Sequence, residues 1–157
     1  MFRKVLFPTD FSEGSIRAIQ RFERENDMEV GECILLHVID EGLVEDMVTG
    51  YSLLYNNENA EINSILKNLE DEALKKLEER KERCKEMMKA KNVRTMVTVG
   101  IPYKEIVRVA EEEDVSLILL PSHGKLGFSH ELMGSTTIRV LRKTKKPVLI
   151  IKTHKEE

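Results

Sequence analysis

Five short apolar runs, residues 5–7, 34–39, 93–99, 117–120 and Val148–Ile151, alternate along this chain with stretches of helical periodicity. That alternation leaves few architectures open. Parallel strands cannot be joined by tight turns, so each connection must cross a face of the sheet, and a helix is the usual way to do it. The expected class is therefore α/β, an open parallel sheet with helices on both faces. The runs differ among themselves. Residues 117–120 are apolar throughout, as a strand buried on both faces must be. Val93, Thr95, Val97 and Val99 alternate with Arg94, Met96 and Thr98, the pattern of a partly wet edge strand. Val148–Ile151 is also wholly apolar; a strand of that kind at a sheet edge invites pairing with another chain, so a homodimer through this strand is expected.

The helices follow from spacing. Ser12 is a good N-cap, and Ile16, Ile19 and Phe22 share one face behind it. A long helix is expected over residues 59–91, with Ile62, Leu66, Leu69, Ala73, Leu77, Cys84 and Met88 as its inward stripe. Gly100-Ile101-Pro102 opens a third helix, proline suiting a first turn, and Ile106, Val109 and Ala110 face inward. A fourth runs from Gly134 to about Lys143 and stops before Pro147. Residues 40–59 read as a long connection, open to roles as a lid over the site, as disorder or as simple packing.

Length and composition narrow the function. A chain of 157 residues suits one domain, residues 1–157, with a core large enough to need no disulfide or metal. Charged residues make up 34% of the chain with a net charge of −3, which gives none of the basic footprint of a nucleic-acid binder. No apolar stretch reaches the roughly 18–20 residues of a membrane span. Met1-Phe2-Arg3-Lys4 leads directly into a strand with no signal-peptide pattern, so the expected compartment is the cytoplasm. Cys33 and Cys84 lie outside any CxxC pattern and read as small buried thiols.

In open parallel sheets, ligands bind beyond the carboxyl ends of the strands, where the strand order reverses. The residues expected there are Pro8, Thr9 and Asp10 after the first strand, Val38 near the end of the second, and Pro121, Ser122, His123 and Gly124 after the fourth. Gly134, Ser135 and Thr136 then begin a helix, whose free N–H groups and dipole suit a phosphate. Asp10 has two available roles, capping the first helix or accepting a ribose hydroxyl. Gly124 and Gly134–Thr136 likewise suit either phosphates or a plain turn and cap.

In this order the motifs resemble the universal stress protein family, over the whole chain. The family's G-x2-G-x9-G-(S/T) signature keeps its second half here, Gly124, nine residues, then Gly134-Ser135. Val5-Leu6-Phe7-Pro8-Thr9-Asp10-Phe11-Ser12, Leu35-Leu36-His37-Val38-Ile39-Asp40 and Lys146-Pro147-Val148-Leu149-Ile150-Ile151 look like its first, second and last strands. The resemblance implies a five-stranded sheet of order 3-2-1-4-5. It also implies ATP as ligand, with Mg²⁺, in a stress-response or regulatory role. Asp10 would meet the ribose, the Val38 backbone the adenine, and Gly124, Gly134, Ser135 and Thr136 the phosphates. Pro121 departs from the pattern, standing at the signature's first glycine with no N–H to donate and φ fixed near about −65°. The alternative readings are a nucleotide-free dimeric interaction protein of the same fold and a weak ATP hydrolase. Ser122 and His123 are adjacent and so badly placed as nucleophile and base. There is no GxSxG elbow and no Walker A loop. His37, His123, His130 and His154 show no metal-ligand spacing, and His37 reads as a satisfied core histidine.

Overall fold

The computed structural model describes residues 2–25, 27, 29–55, 62–122 and 134–152. In chain order the elements are β1 (Phe2–Pro8), α1 (Glu13–Glu25), β2 (Val30–Asp40), α2 (Glu41–Tyr55), α3 (Ile62–Met87), β3 (Ala90–Gly100), α4 (Pro102–Glu112), β4 (Leu117–Pro121), α5 (Ser135–Lys143) and β5 (Val148–Ile151). The strands form one sheet of order β3-β2-β1-β4-β5, every pair parallel. The apolar runs are the cores of these strands. β1, β2 and β3 extend beyond them into polar residues such as Lys4, Glu32 and Asn92, which the ladder still pairs.

Period-two alternation divides the core into two halves. Val5, Phe7, Leu35, Leu117 and Leu119 face one way and meet Ala18 and Phe22 of α1 and Leu77 of α3. Leu6, Ile34, Leu36, Ile118 and Leu120 face the other way and meet Ile106 and Val109 of α4 and Val140 of α5. Gly31 has a specific reason to be glycine: a Cβ there would lie 2.5 Å from the Arg3 carbonyl oxygen. The helix ends also have local causes. Ser12 caps α1, its Oγ accepting the Ser15 N–H at 3.4 Å. Pro102 opens α4. Beyond α4, Asp114 takes a left-handed conformation, φ 48°, and the Val115 N–H returns to the Ala110 carbonyl at 3.1 Å, closing the helix in the manner usually left to glycine.

Two expectations need correction. Residues 40–55 are not a loop. α2 fills most of that segment, begun by the Asp40 carboxylate, which accepts the Gly42 N–H at 2.9 Å. Val44 is buried, while Leu43, Met47, Leu53 and Leu54 are exposed; so few inward residues leave no regular stripe from which to read a helix. α3 is shorter than the 59–91 expected. Residues 59–61 fall outside the described residues, and Ile62 at the start of α3 is exposed. Beyond Met87, Lys89 turns left-handed, φ 49°, and the chain enters β3 at Ala90.

The amino ends of the strands are tied by charge. Arg94 of β3 bridges Glu32 of β2 and Glu113 at the end of α4, and Lys4 of β1 also reaches Glu113. The hydrogen bond from Arg94 is the main cause that holds the Glu113 carboxyl below its ordinary value of 4.5. Its stabilising contribution is therefore fully present above that pH and is lost as pH falls through the lower folded value. Melting temperatures of the parent and Glu113→Gln should differ most near neutrality. The gap should narrow as the pH drops below the ordinary carboxylate value, since a protonated glutamate then resembles glutamine. A gap independent of pH would mean that the charge of Glu113 contributes nothing.

Candidate functional site

β1 and β4 are neighbours, and the chain leaves them toward opposite edges of the sheet, β1 toward β2 and β4 toward β5. The carboxyl ends of these two strands therefore border the crevice where open α/β sheets bind ligands. Pro8 is the last residue of β1, paired with Leu36, and Thr9 continues the ladder by donating its N–H to the Leu36 carbonyl at 2.8 Å. Thr9 is buried, and its Oγ1 accepts the Phe11 N–H at 3.1 Å. Phe11 takes φ 64°, a left-handed conformation uncommon for a side chain of this bulk, which turns the chain sharply from β1 into α1.

Asp10 sits inside that turn. Its Oδ1 accepts the Ser12 N–H at 2.9 Å and the Ser15 hydroxyl at 3.1 Å. These bonds tie the turn ahead of α1, whose cap is Ser12, and fix the carboxylate at the lip of β1. His37 secures the same turn from β2: its Nδ1 lies 2.8 Å from the Thr9 carbonyl oxygen. A carbonyl only accepts, so that nitrogen carries the proton. The imidazole ring lies against Phe11 with centroids 4.4 Å apart, and Lys76 and Arg80 of α3 stand over the same phenyl ring. His37 is accordingly a bonded histidine, half-buried rather than wholly in the core. Val38 follows it, half-buried, opposite Thr98 of β3.

At β4 the backbone is equally committed. Pro121, buried, pairs with Ile151 at the strand end, and the next N–H, that of Ser122, donates to the Ile151 carbonyl at 2.8 Å. The Ser122 carbonyl accepts the Gly134 N–H at 2.8 Å, so the chain leaves β4 and returns to the same point to start α5. The Pro121 carbonyl accepts the buried Thr137 hydroxyl at 2.9 Å, fixing the first turn of α5 against the strand. Gly134 precedes the helix with φ −57° and ψ 145°, angles open to any residue. Helical bonding begins with the Ile138 N–H on the Gly134 carbonyl. The N–H groups of Ser135, Thr136 and Thr137 thus precede the first helical bond, at the positive end of the helix dipole. His123 and Gly124 lie outside the described residues.

The structure therefore brings Pro8, Thr9, Asp10, Val38, Pro121, Ser122, Gly134, Ser135 and Thr136 to one edge of the sheet. Three residues that organise this edge carried little sequence signal. Thr137 was one polar position on the inner face of a short helix. Phe11 and His37 looked like ordinary apolar and core positions. Among the described residues no His, Cys, Asp and Glu group is arranged to hold a metal ion, and no helix is long and apolar enough to cross a membrane.

The model of the universal stress protein family matches residues 1–152. The chain belongs to that family. It is 38% identical over 158 residues to universal stress protein MJ0577 of Methanocaldococcus jannaschii, covering 97% of this chain and 96% of the relative. The crystal structure of hypothetical protein PH0823 is 58% identical, with a TM-score of 0.85 and all of both chains covered. The solved structure of MJ0577 superposes with a TM-score of 0.79 over 99% of each chain. A universal stress protein family member from Arabidopsis thaliana, solved with AMP bound, shares the fold at 16% identity, with a TM-score of 0.59 over 99% of this chain and 94% of that one.

The Thr137 hydroxyl can be tested without any ligand. Thr137→Val keeps the shape but strands the buried Pro121 carbonyl, which should lower the unfolding free energy by about 1–3 kcal/mol. Denaturant titration reads this directly, and a variant as stable as the parent would remove Thr137 as the anchor of α5.

Proposed function

We propose that this universal stress protein binds an adenine nucleotide, ATP with Mg²⁺, as a cytoplasmic regulatory module in the response to stress. What carries the reading is a fixed carboxylate at the carboxyl end of β1 and the open first turn of α5 tied to the carboxyl end of its neighbour, β4. Asp10, held by Ser12 and Ser15, offers an acceptor at the end of β1 for the ribose hydroxyls. The N–H groups of Ser135 and Thr136 offer donors for phosphate. The half-buried Val38 lies on the next strand, where its backbone suits adenine. The Arabidopsis protein of the same fold, solved with AMP, supports a nucleotide of this class. Ser122, His123 and Gly124 complete the proposed phosphate loop.

Pro121 fits this reading better than its departure from the signature suggests. It closes β4, and its carbonyl is engaged by Thr137. What it lacks is an N–H, and Ser135 and Thr136 retain theirs. A nucleotide-free interaction protein is the second reading, favoured by one observation: the Gly134 N–H is already bonded to Ser122. No general base is identified among the described site residues, which leaves slow hydrolysis as the weakest reading.

Calorimetric titration with ATP and Mg²⁺ separates these readings. The parent should bind. Asp10→Ala should weaken binding by about 1.5–3 kcal/mol, the worth of a hydrogen bond to a charged group. Gly134→Asp should abolish binding, because it sets a carboxylate where phosphate must lie; the backbone angles at 134 suit aspartate, so this variant should still fold. A parent that takes up no nucleotide would establish the nucleotide-free reading.

The same proposal includes a homodimer through β5. This strand is one of the two outer strands of the sheet, with all four residues, Val148–Ile151, only half-buried. Pairing it across a two-fold axis would satisfy its outer backbone groups and cover Ile150. The parent should sediment as a dimer and Ile150→Lys as a monomer; a monomeric parent at micromolar concentration would rule this interface out.

A further inference from the structure

The two cysteines, 51 positions apart in the sequence, converge on one methionine in the interior. Cys33 is the fourth residue of β2, in register with Val5 of β1 and Val93 of β3, and is completely buried. Cys84 lies on the inward face of α3, also buried. Met88, one helical turn further on, places its Sδ 3.5 Å from Cys33 Sγ and 3.6 Å from Cys84 Sγ. Both thiols donate to that one sulfur. The nearness of Cys84, and after it burial, raises Cys33 well above the ordinary thiol value, while the nearness of Cys33 lowers Cys84, so of the two Cys84 reaches the thiolate more readily.

We propose that Cys33 and Cys84 are a dithiol that hydrogen peroxide converts to an intramolecular disulfide, stapling α3 to β2. The surroundings favour this product over a soft metal ion. Val5, Phe7, Leu35, Leu77 and Val93 belong to the same apolar cluster. A disulfide places no charge among them, whereas a metal held by two thiolates does. Burial also selects the oxidant, because a water-sized peroxide can enter where a bulky disulfide cannot. The Cys84 thiolate attacks one peroxide oxygen, the O–O bond breaks, and sulfenic acid forms as hydroxide leaves and is protonated to water. The Cys33 sulfur then attacks the Cys84 sulfur and displaces hydroxide, which leaves as water with the Cys33 proton. Two thiols and one peroxide become one disulfide and two waters. The staple closes the chain between positions 33 and 84, which includes all of α2.

The full-length reduced protein is treated with hydrogen peroxide, denatured in N-ethylmaleimide and weighed. The parent should take up no maleimide and be lighter by two hydrogens. Its peptides bearing Cys33 and Cys84 should be linked within one chain. Its melting temperature should rise by about 5–15 °C, the effect of closing a loop of this length, and dithiothreitol should reverse the rise. In Cys33→Ala, Cys84 should be trapped as sulfenic acid by dimedone; in Cys84→Ala, Cys33 should remain free to react with maleimide. Two maleimides on the peroxide-treated parent would overturn the proposal, and so would a disulfide joining two chains. Two retained thiols with uptake of one copper(I) ion would also overturn it, in favour of a metal site.

Discussion

β1 is the third of five strands, so both of its faces must be covered, and the chain must cross the sheet on both sides to cover them. Val5 and Phe7 look toward α1 and α3, while Leu6 looks toward α4 and α5, and all three are fully buried. A single register slip in this strand would exchange the two faces and misplace both halves of the core at once. Because β1 is central, the chain must also leave it for one edge and come back later to build the other. That return creates the crevice between β1 and β4. The position of the site is thus a consequence of covering β1, and it does not depend on what the site binds.

The two ends of the sheet are built in contrasting ways. At the amino ends, charged side chains cross-link neighbouring elements, with Arg94 joining Glu32 to Glu113 and Lys146 joining Asp114. At the carboxyl ends the holding contacts are chiefly hydrogen bonds to the backbone. Thr9, Ser122, Gly134 and Thr137 make such contacts, along with one histidine nitrogen. Partly exposed ion pairs of this kind contribute little individually, and they place fixed charges far from the crevice. Among the described residues, the charged groups joined to these backbone contacts are the Asp10 carboxylate and the two cations, Lys76 and Arg80, over Phe11.

Much of this was legible in the sequence, because burial writes itself as pattern. The unbroken run from Leu117 to Leu120 identified a central strand, and the alternation of Val93, Val97 and Val99 with Arg94 identified an edge. Two-sided and one-sided burial select different residues, so these strands could be told apart. α2 was not legible, since Val44 is buried while Leu43, Met47, Leu53 and Leu54 are exposed, and a helix anchored so sparsely leaves no periodic stripe. At the site, residue types were legible but their present partners were not. Asp10, Gly134 and Ser135 stood out as polar or small residues after apolar runs. That Gly134 donates to Ser122, and that Thr137 reaches Pro121, depends on where β4 and α5 come to rest, which no spacing encodes.

Those partners change what the signature positions do. A glycine at the start of a phosphate-binding helix is usually explained by positive φ or by donation to the ligand, yet Gly134 has φ −57° and gives its N–H to Ser122. Its remaining distinctive property is the absence of a side chain where the chain returns to β4. Position 121 follows the same logic. Its carbonyl holds Thr137, and the N–H that carries the strand pairing onward belongs to Ser122. Proline supplies that carbonyl as well as glycine would, and it narrows the unfolded chain's choices at a point where the strand must stop. On this geometry Pro121, Ser122, Gly134 and Thr137 hold β4, β5 and α5 together, while the next amides, those of Ser135 and Thr136, precede the first helical bond. A proline at 121 is compatible with that division of labour. Gly134 shares in it through its N–H, at backbone angles open to any residue.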